Sequence, residues 1–100
     1  MSLFDLLIKY KQEIKEIAHR HWAYNIRVFG SVVRGEDTKS SDIDILVEVP
    51  DFSKLSFFFP GGLITELEEI LGRKVDIAIE SALKPKVRTN ILKEAKSLWI

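Results

Sequence analysis

The chain has no cysteine in 100 residues, which excludes disulfides and thiolate metal sites. Its two histidines, His19 and His21, are too few for a histidine-rich zinc centre, so any metal must be held mainly by oxygen. Charge of one sign is also lacking: fifteen basic and fifteen acidic side chains cancel. No net field draws the chain onto DNA, RNA or an anionic membrane, and no direct nucleic-acid partner is expected. No run reaches the roughly 18 apolar residues needed to cross a bilayer. The opening Met1-Ser2-Leu3-Phe4-Asp5 lacks the basic stretch of a secretory signal, so a cytoplasmic protein without membrane attachment is expected. Internal repeats and low-complexity segments are absent. What remains, with 46% hydrophobic residues, is enough for one globular domain over residues 1–100 that buries roughly two thirds of its unfolded surface.

Apolar periodicity divides that domain into alternating elements. Leu3, Leu7, Tyr10, Ile14 and Ile17 recur at helical spacing through the first twenty residues, and Ser2 with Asp5 gives this helix a capping-box-like start. Asn25 to Phe29 reads as a short strand with Ile26 and Val28 on one face, ended by Gly30. Ser31 is the expected N-cap of a short helix through Arg34, closed by Gly35. Asp42 to Val49 is the clearest strand: Ile43, Ile45, Val47 and Val49 share one face, and Asp42, Asp44, Leu46 and Glu48 the other. Beyond Pro50, Gly61 or Gly62 opens a helix with the stripe Leu63, Leu67, Ile70 and Leu71, stopped by Gly72. In a third strand, Lys74 to Ile79, Asp76 and Ala78 face away from Val75, Ile77 and Ile79. Pro85 begins a last helix whose stripe is Val87, Ile91, Ala95 and Leu98, before Trp99-Ile100. The order α-β-α-β-α-β-α predicts an α/β (α+β) fold, a small mixed or parallel sheet covered by helices.

The chemistry-bearing residues cluster around two of these junctions. Side chains two apart on a strand project from one face, so Asp42 and Asp44 present carboxylates roughly 7 Å apart. Asp76 holds the equivalent place on the third strand, and three carboxylates meet on one patch if the two strands are neighbours. Two like charges 4 Å apart repel by about 4 kcal/mol at an effective dielectric of 20, so such a cluster calls for protons or cations. An all-oxygen donor set beside phosphate suits Mg²⁺. Gly30 removes a side chain at the strand-to-helix turn, Ser31 adds a hydroxyl, and Arg34 is one turn on, within reach of the same anion through a charge-assisted fork. Ser40 and Ser41, at the start of the acidic strand, read as ordinary loop and cap residues that could also serve as further donors. His19 and His21 have no spaced partner and read as structural or exposed. Lys84, Lys86, Arg88, Lys93 and Lys96 read as a solvated helix face. Phe57, Phe58 and Phe59 cannot all enter one small core, so at least one is expected to be available to a partner.

Gly30, Ser31, ten residues, then Asp42-x-Asp44, with the Gly-Ser-x-x-Arg-Gly form completed by Arg34 and Gly35, resembles the minimal nucleotidyltransferases of the DNA-polymerase-β-like superfamily. The antitoxins paired with HEPN ribonuclease toxins are the group most similar to it. Asp76, after a Leu-Gly-Arg stretch, falls where that family has its third acid. The resemblance implies a polymerase-β palm-like fold in which Asp42, Asp44 and Asp76 are catalytic and bind two Mg²⁺ ions. It also implies that Gly30, Ser31, Arg34 and Ser41 hold the triphosphate, with ATP as substrate. The implied reaction is in-line attack on the α-phosphorus with pyrophosphate leaving. Larger relatives carry further domains that grip an acceptor, and a chain of this size is expected to rely on an acceptor that brings its own surface. Resemblance thus implies AMP transfer to a tyrosine of a HEPN toxin encoded nearby. Two other readings stand beside it: an antitoxin that masks its toxin by binding alone, and nucleotidyl transfer to a small molecule in a pocket between subunits. Either a homodimer or a hetero-oligomer with the toxin is compatible with the sequence.

Overall fold

The computed structural model describes residues 2–99; Met1 and Ile100 lie outside the described residues. Helices α1 (Leu3–Lys9) and α2 (Lys11–Arg20) are followed by strand β1 (Tyr24–Phe29), the short helix α3 (Ser31–Arg34) and strand β2 (Ile43–Glu48). Helix α4 (Gly61–Leu71), strand β3 (Val75–Ile79), a 3₁₀ turn (Glu80–Ala82), helix α5 (Pro85–Glu94) and the two-residue strand β4 (Lys96–Ser97) complete the chain. The sheet has the order β3-β2-β1-β4. β1 runs antiparallel to β2 and β4, and β2 runs parallel to β3. Of the mixed or parallel sheet expected from the alternation of elements, the mixed form is the observed one.

Period-two patterning decides which side of the sheet is covered. Ile26, Val28, Ile43, Ile45, Val47 and Val75 are all buried and form one core with Leu3 and Leu7 of α1, Ile14, Ile17 and Ala18 of α2, and Leu63, Leu67 and Leu71 of α4. Each of the valine, leucine and isoleucine side chains removed from water contributes about 1.5–3 kcal/mol to folding. The opposite face carries Arg27, Phe29, Asp44, Leu46, Asp76 and Ala78, as the cross-strand pairs Arg27↔Leu46, Phe29↔Asp44, Asp44↔Asp76 and Leu46↔Ala78 show. No helix of the described residues is long and apolar enough to cross a membrane.

Three local expectations are corrected. The first twenty residues form two helices rather than one. Tyr10 has φ −98° and ψ 12°, yet its N–H still donates to the Leu6 carbonyl and its carbonyl accepts from Ile14. The backbone bends there with the Tyr10 N–H and carbonyl both still paired, and both halves keep their apolar stripes on the core. Gly30, not Ser31, is the N-cap of α3, and Ser31 is its first helical residue. Finally, α5 ends at Glu94 because Ala95 turns extended, and Lys96–Ser97 pair with β1. The edge of β1 would otherwise leave backbone groups unpaired, and that gain outweighs a weak helical stripe. Leu98 is buried after this strand, whereas Val87 remains exposed.

The start of α5 is tied to the open face by charge. Arg27 Nη1 donates to Glu80 Oε1 at 2.6 Å, both side chains being 13% exposed, and Arg88 of α5 donates to Glu80 Oε2 at 3.2 Å. The hydrogen bond from Arg27 holds the Glu80 carboxyl below its ordinary value of 4.5, against the opposing effect of burial and with help from Arg88. Because the folded-state value is depressed, this stabilisation is complete above the ordinary glutamate value and is lost as pH falls through the lower one. Glu80→Gln should cost about 2 kcal/mol at neutral pH by leaving Arg27 poorly paired. The gap in melting temperature between wild type and variant should close as pH is lowered from 6 towards 3. A gap independent of pH would show that the pair contributes no charge-dependent stability.

Candidate active site

The site is built where β1 stops. Gly30 has φ +79° and ψ −153°, a conformation open essentially to glycine alone. The absence of a side chain there also lets β2 approach: a Cβ on Gly30 would collide with Asp44 Oδ2 and lie 3.2 Å from Asp44 Cγ. One residue thus reverses the chain into α3 and makes room for the Asp44 carboxyl. Gly35 closes α3 in the left-handed conformation, which returns the chain towards β2.

Asp44 lies between Phe29 of β1 and Asp76 of β3 in the sheet register. Asp42 precedes β2 on the same face, and both Asp42 and Asp76 are exposed while Asp44 is half-buried. The Asp44 carboxyl is raised above its ordinary range, first by burial and then by the like charges of Asp76 and Asp42, with Glu94 adding to them; Arg34 partly offsets this. The three acids expected from the sequence to share a patch do so, and the central one feels both of its neighbours. Among the described residues no three acidic or histidine side chains stand close enough to form a ready ligand set for one ion. The all-oxygen, only partly compensated negative charge around Asp44 nevertheless fits Mg²⁺, which takes one or two carboxylates and completes its shell with substrate phosphates and water.

Arg34 is directed back over this patch. Its Nη1 donates to Glu94 Oε2 at 2.9 Å and Oε1 at 3.2 Å, and its Nε donates to Glu36 Oε1 at 2.8 Å. The Gly30 N–H donates to Glu94 Oε1 at 2.8 Å. These contacts raise the Arg34 pKa, with Glu36 the larger cause, and lower that of Glu94, chiefly through the Gly30 N–H. Ser41 is drawn into a turn of its own: its hydroxyl accepts the Thr38 N–H at 2.8 Å, and its carbonyl accepts from Arg73 at 2.7 Å. It borders Asp42 in a cleft of about 330 Å³ lined also by Lys39, Ser40, Arg73 and Lys74.

Glu94 is the residue that the sequence reading passed over. Its only signal is that it is the sole acid between Pro85 and Glu94 in an otherwise basic helix. The Arg27–Glu80 pair was likewise invisible, since an ion pair between distant segments leaves no local period, and Glu36, two residues from Arg34, sits in a polar loop where one more acid carries no signal. His21 lies 3.4 Å from Glu66 and His19 stacks on Tyr24, in keeping with structural roles. Phe57 and Phe58 are 93% and 77% exposed and pack edge to face on each other.

Comparison with known proteins places this geometry. The model of the nucleotidyltransferase domain family matches residues 7–98. The chain is 38% identical to the protein adenylyltransferase MntA of Thermococcus cleftensis over 90 residues, covering 90% of this chain and 86% of that one. Among solved structures, one that carries the provisional description of a minimal nucleotidyltransferase superposes with a TM-score of 0.82 at 36% identity, over 97% of this chain and 96% of the other. A toxin–antitoxin structure obtained with AMP-PNP shares the fold, with a TM-score of 0.75 at 24% identity over 89% of this chain and 72% of the other. A family match over nearly the whole chain, on a fold that sets a Gly-Ser turn against paired aspartates, shows that this chain belongs to the nucleotidyltransferase domain family as an MntA-like minimal nucleotidyltransferase.

Proposed function

We propose that the chain is a cytoplasmic protein adenylyltransferase antitoxin, a single catalytic domain that moves AMP from ATP to a tyrosine of a HEPN ribonuclease toxin and so neutralises it. The observation that carries this reading is the packing of Asp44 directly against Gly30, which joins a phosphate-holding turn to a carboxylate patch. The names of similar proteins support it: the Thermococcus cleftensis relative is a protein adenylyltransferase, and a structure of the same fold is a toxin–antitoxin with AMP-PNP.

In this reading Asp42 and Asp44 hold two Mg²⁺ ions and Asp76 completes their binding. Bound there, the ions neutralise charge on the triphosphate and on the attacking and departing oxygens. Gly30 gives its backbone N–H, Ser31 its hydroxyl and Arg34 its guanidinium to the phosphates, with Ser41 at the margin. Asp76, the more exposed partner of Asp44, accepts the proton of the acceptor hydroxyl. The tyrosine oxygen forms the new bond to the α-phosphorus as the bond to pyrophosphate breaks.

Incubation with Mg-ATP and a co-encoded HEPN protein should increase the partner's mass by AMP, and Asp42→Asn should abolish the increase. A partner of unchanged mass would sink the proposal. The exposed Phe57 and Phe58 favour a second reading, in which the chain neutralises its toxin by contact alone. Neutralisation by Asp42→Asn at the wild-type dose would establish that reading instead.

A further inference from the structure

Glu94 occupies the groups that a nucleotide's phosphates would need. One oxygen of its carboxylate takes the Gly30 N–H, and both take Arg34 Nη1. The position is not explained by the helix that carries it. Glu94 is the last residue of α5, where a negative charge opposes the negative end of the helix dipole. Nor does burial hold α5 in place, since none of its residues is buried. The helix is fastened across the open face of the sheet by two polar nodes, Arg88 to Glu80 at one end and Glu94 to Gly30 and Arg34 at the other.

We infer that Glu94 is a built-in competitor for the triphosphate site, a carboxylate at the end of a helix with no buried residue that must leave Gly30 and Arg34 before nucleotide can bind. The inference rests on the reading of Gly30 and Arg34 as phosphate-holding groups. A site whose competent form is only fractionally populated binds with an affinity reduced by that fraction. Removing the competitor therefore tightens binding without adding any contact to the ligand. A helper of Arg34 would behave in the opposite way, because its loss would free the guanidinium to wander and weaken binding.

The test is calorimetric titration of AMP-PNP in excess Mg²⁺ into wild type, Glu94→Gln and Glu94→Ala, with melting curves to verify the fold. Glu94→Ala should lower the dissociation constant roughly tenfold, about 1.4 kcal/mol. Glu94→Gln should lower it less, because the amide oxygen still accepts the Gly30 N–H while the negative charge facing Arg34 is lost. Wild type that binds, with both variants equal to it or weaker, overturns the inference and leaves the site intact. Failure of all three folded proteins to bind overturns the nucleotide site itself and the inference with it.

Discussion

Asp44→Asn should cut nucleotidyl transfer by about three orders of magnitude, roughly 4 kcal/mol of barrier, while the metal-free protein melts higher than wild type. The two effects share one cause. Asp44 is half-buried beside Asp76 and Asp42, and its carboxyl is pushed above the ordinary value of 3.8 by burial first and by those charges second. A carboxyl with a raised folded-state value destabilises the fold at neutral pH, and that loss is recovered as pH falls through the raised value towards the ordinary one. A neutral, nearly isosteric amide removes the repulsion at every pH, a gain on the order of 1 kcal/mol of the kind found when strained active-site residues are replaced. Mg²⁺ should raise the melting temperature of wild type by binding the folded state alone and leave that of the variant unmoved. A variant that melts lower than wild type in the absence of metal would show that the acid cluster is not under strain.

Gly30→Ala has the second large effect, and it acts on stability and activity together. Backbone in the φ +79°, ψ −153° region costs a non-glycine residue about 1–3 kcal/mol. The added methyl also meets Asp44 Oδ2 and Cγ, so either the turn or the carboxyl must move. Transfer should fall nearly as far as in Asp44→Asn, although every titratable side chain is retained. A double-mutant cycle separates the two costs. In an Asp44→Ala background the colliding atoms are gone, and Gly30→Ala should then cost only its backbone strain, which denaturant unfolding of the four proteins measures. Additive losses would mean that the turn and the acid are not in contact in solution.

The parts of this site that were legible in the sequence are those fixed by a short period. Alternation along β2 put Asp42 and Asp44 on one face, and the same rule put Asp76 on the corresponding face of β3. The direct opposition of Asp44 and Asp76 required the register, which the apolar rows Ile43↔Val75 and Ile45↔Ile77 set from the other side of the sheet. The bend at Tyr10 was illegible because both helical halves keep one period across it. The end of α5 was illegible for the opposite reason: a two-residue strand is too short to carry any pattern, and the pairing of Lys96 with Val28 is decided by an edge elsewhere. Glu94 was masked by the lysines around it, and only tertiary structure shows where its carboxylate goes.

The parallel pairing of β2 with β3 has a kinetic consequence. All of α4 lies between the two strands, so Asp44 and Asp76 meet only after a long loop has closed, a step whose entropy must be overcome before the contact rewards it. Early, locally folded pieces of the chain hold one or two of the acids but never the full set. Divalent cations bound by all three acids would then find their site only in the finished molecule. They should act as a brake on unfolding and leave the rate of folding unchanged.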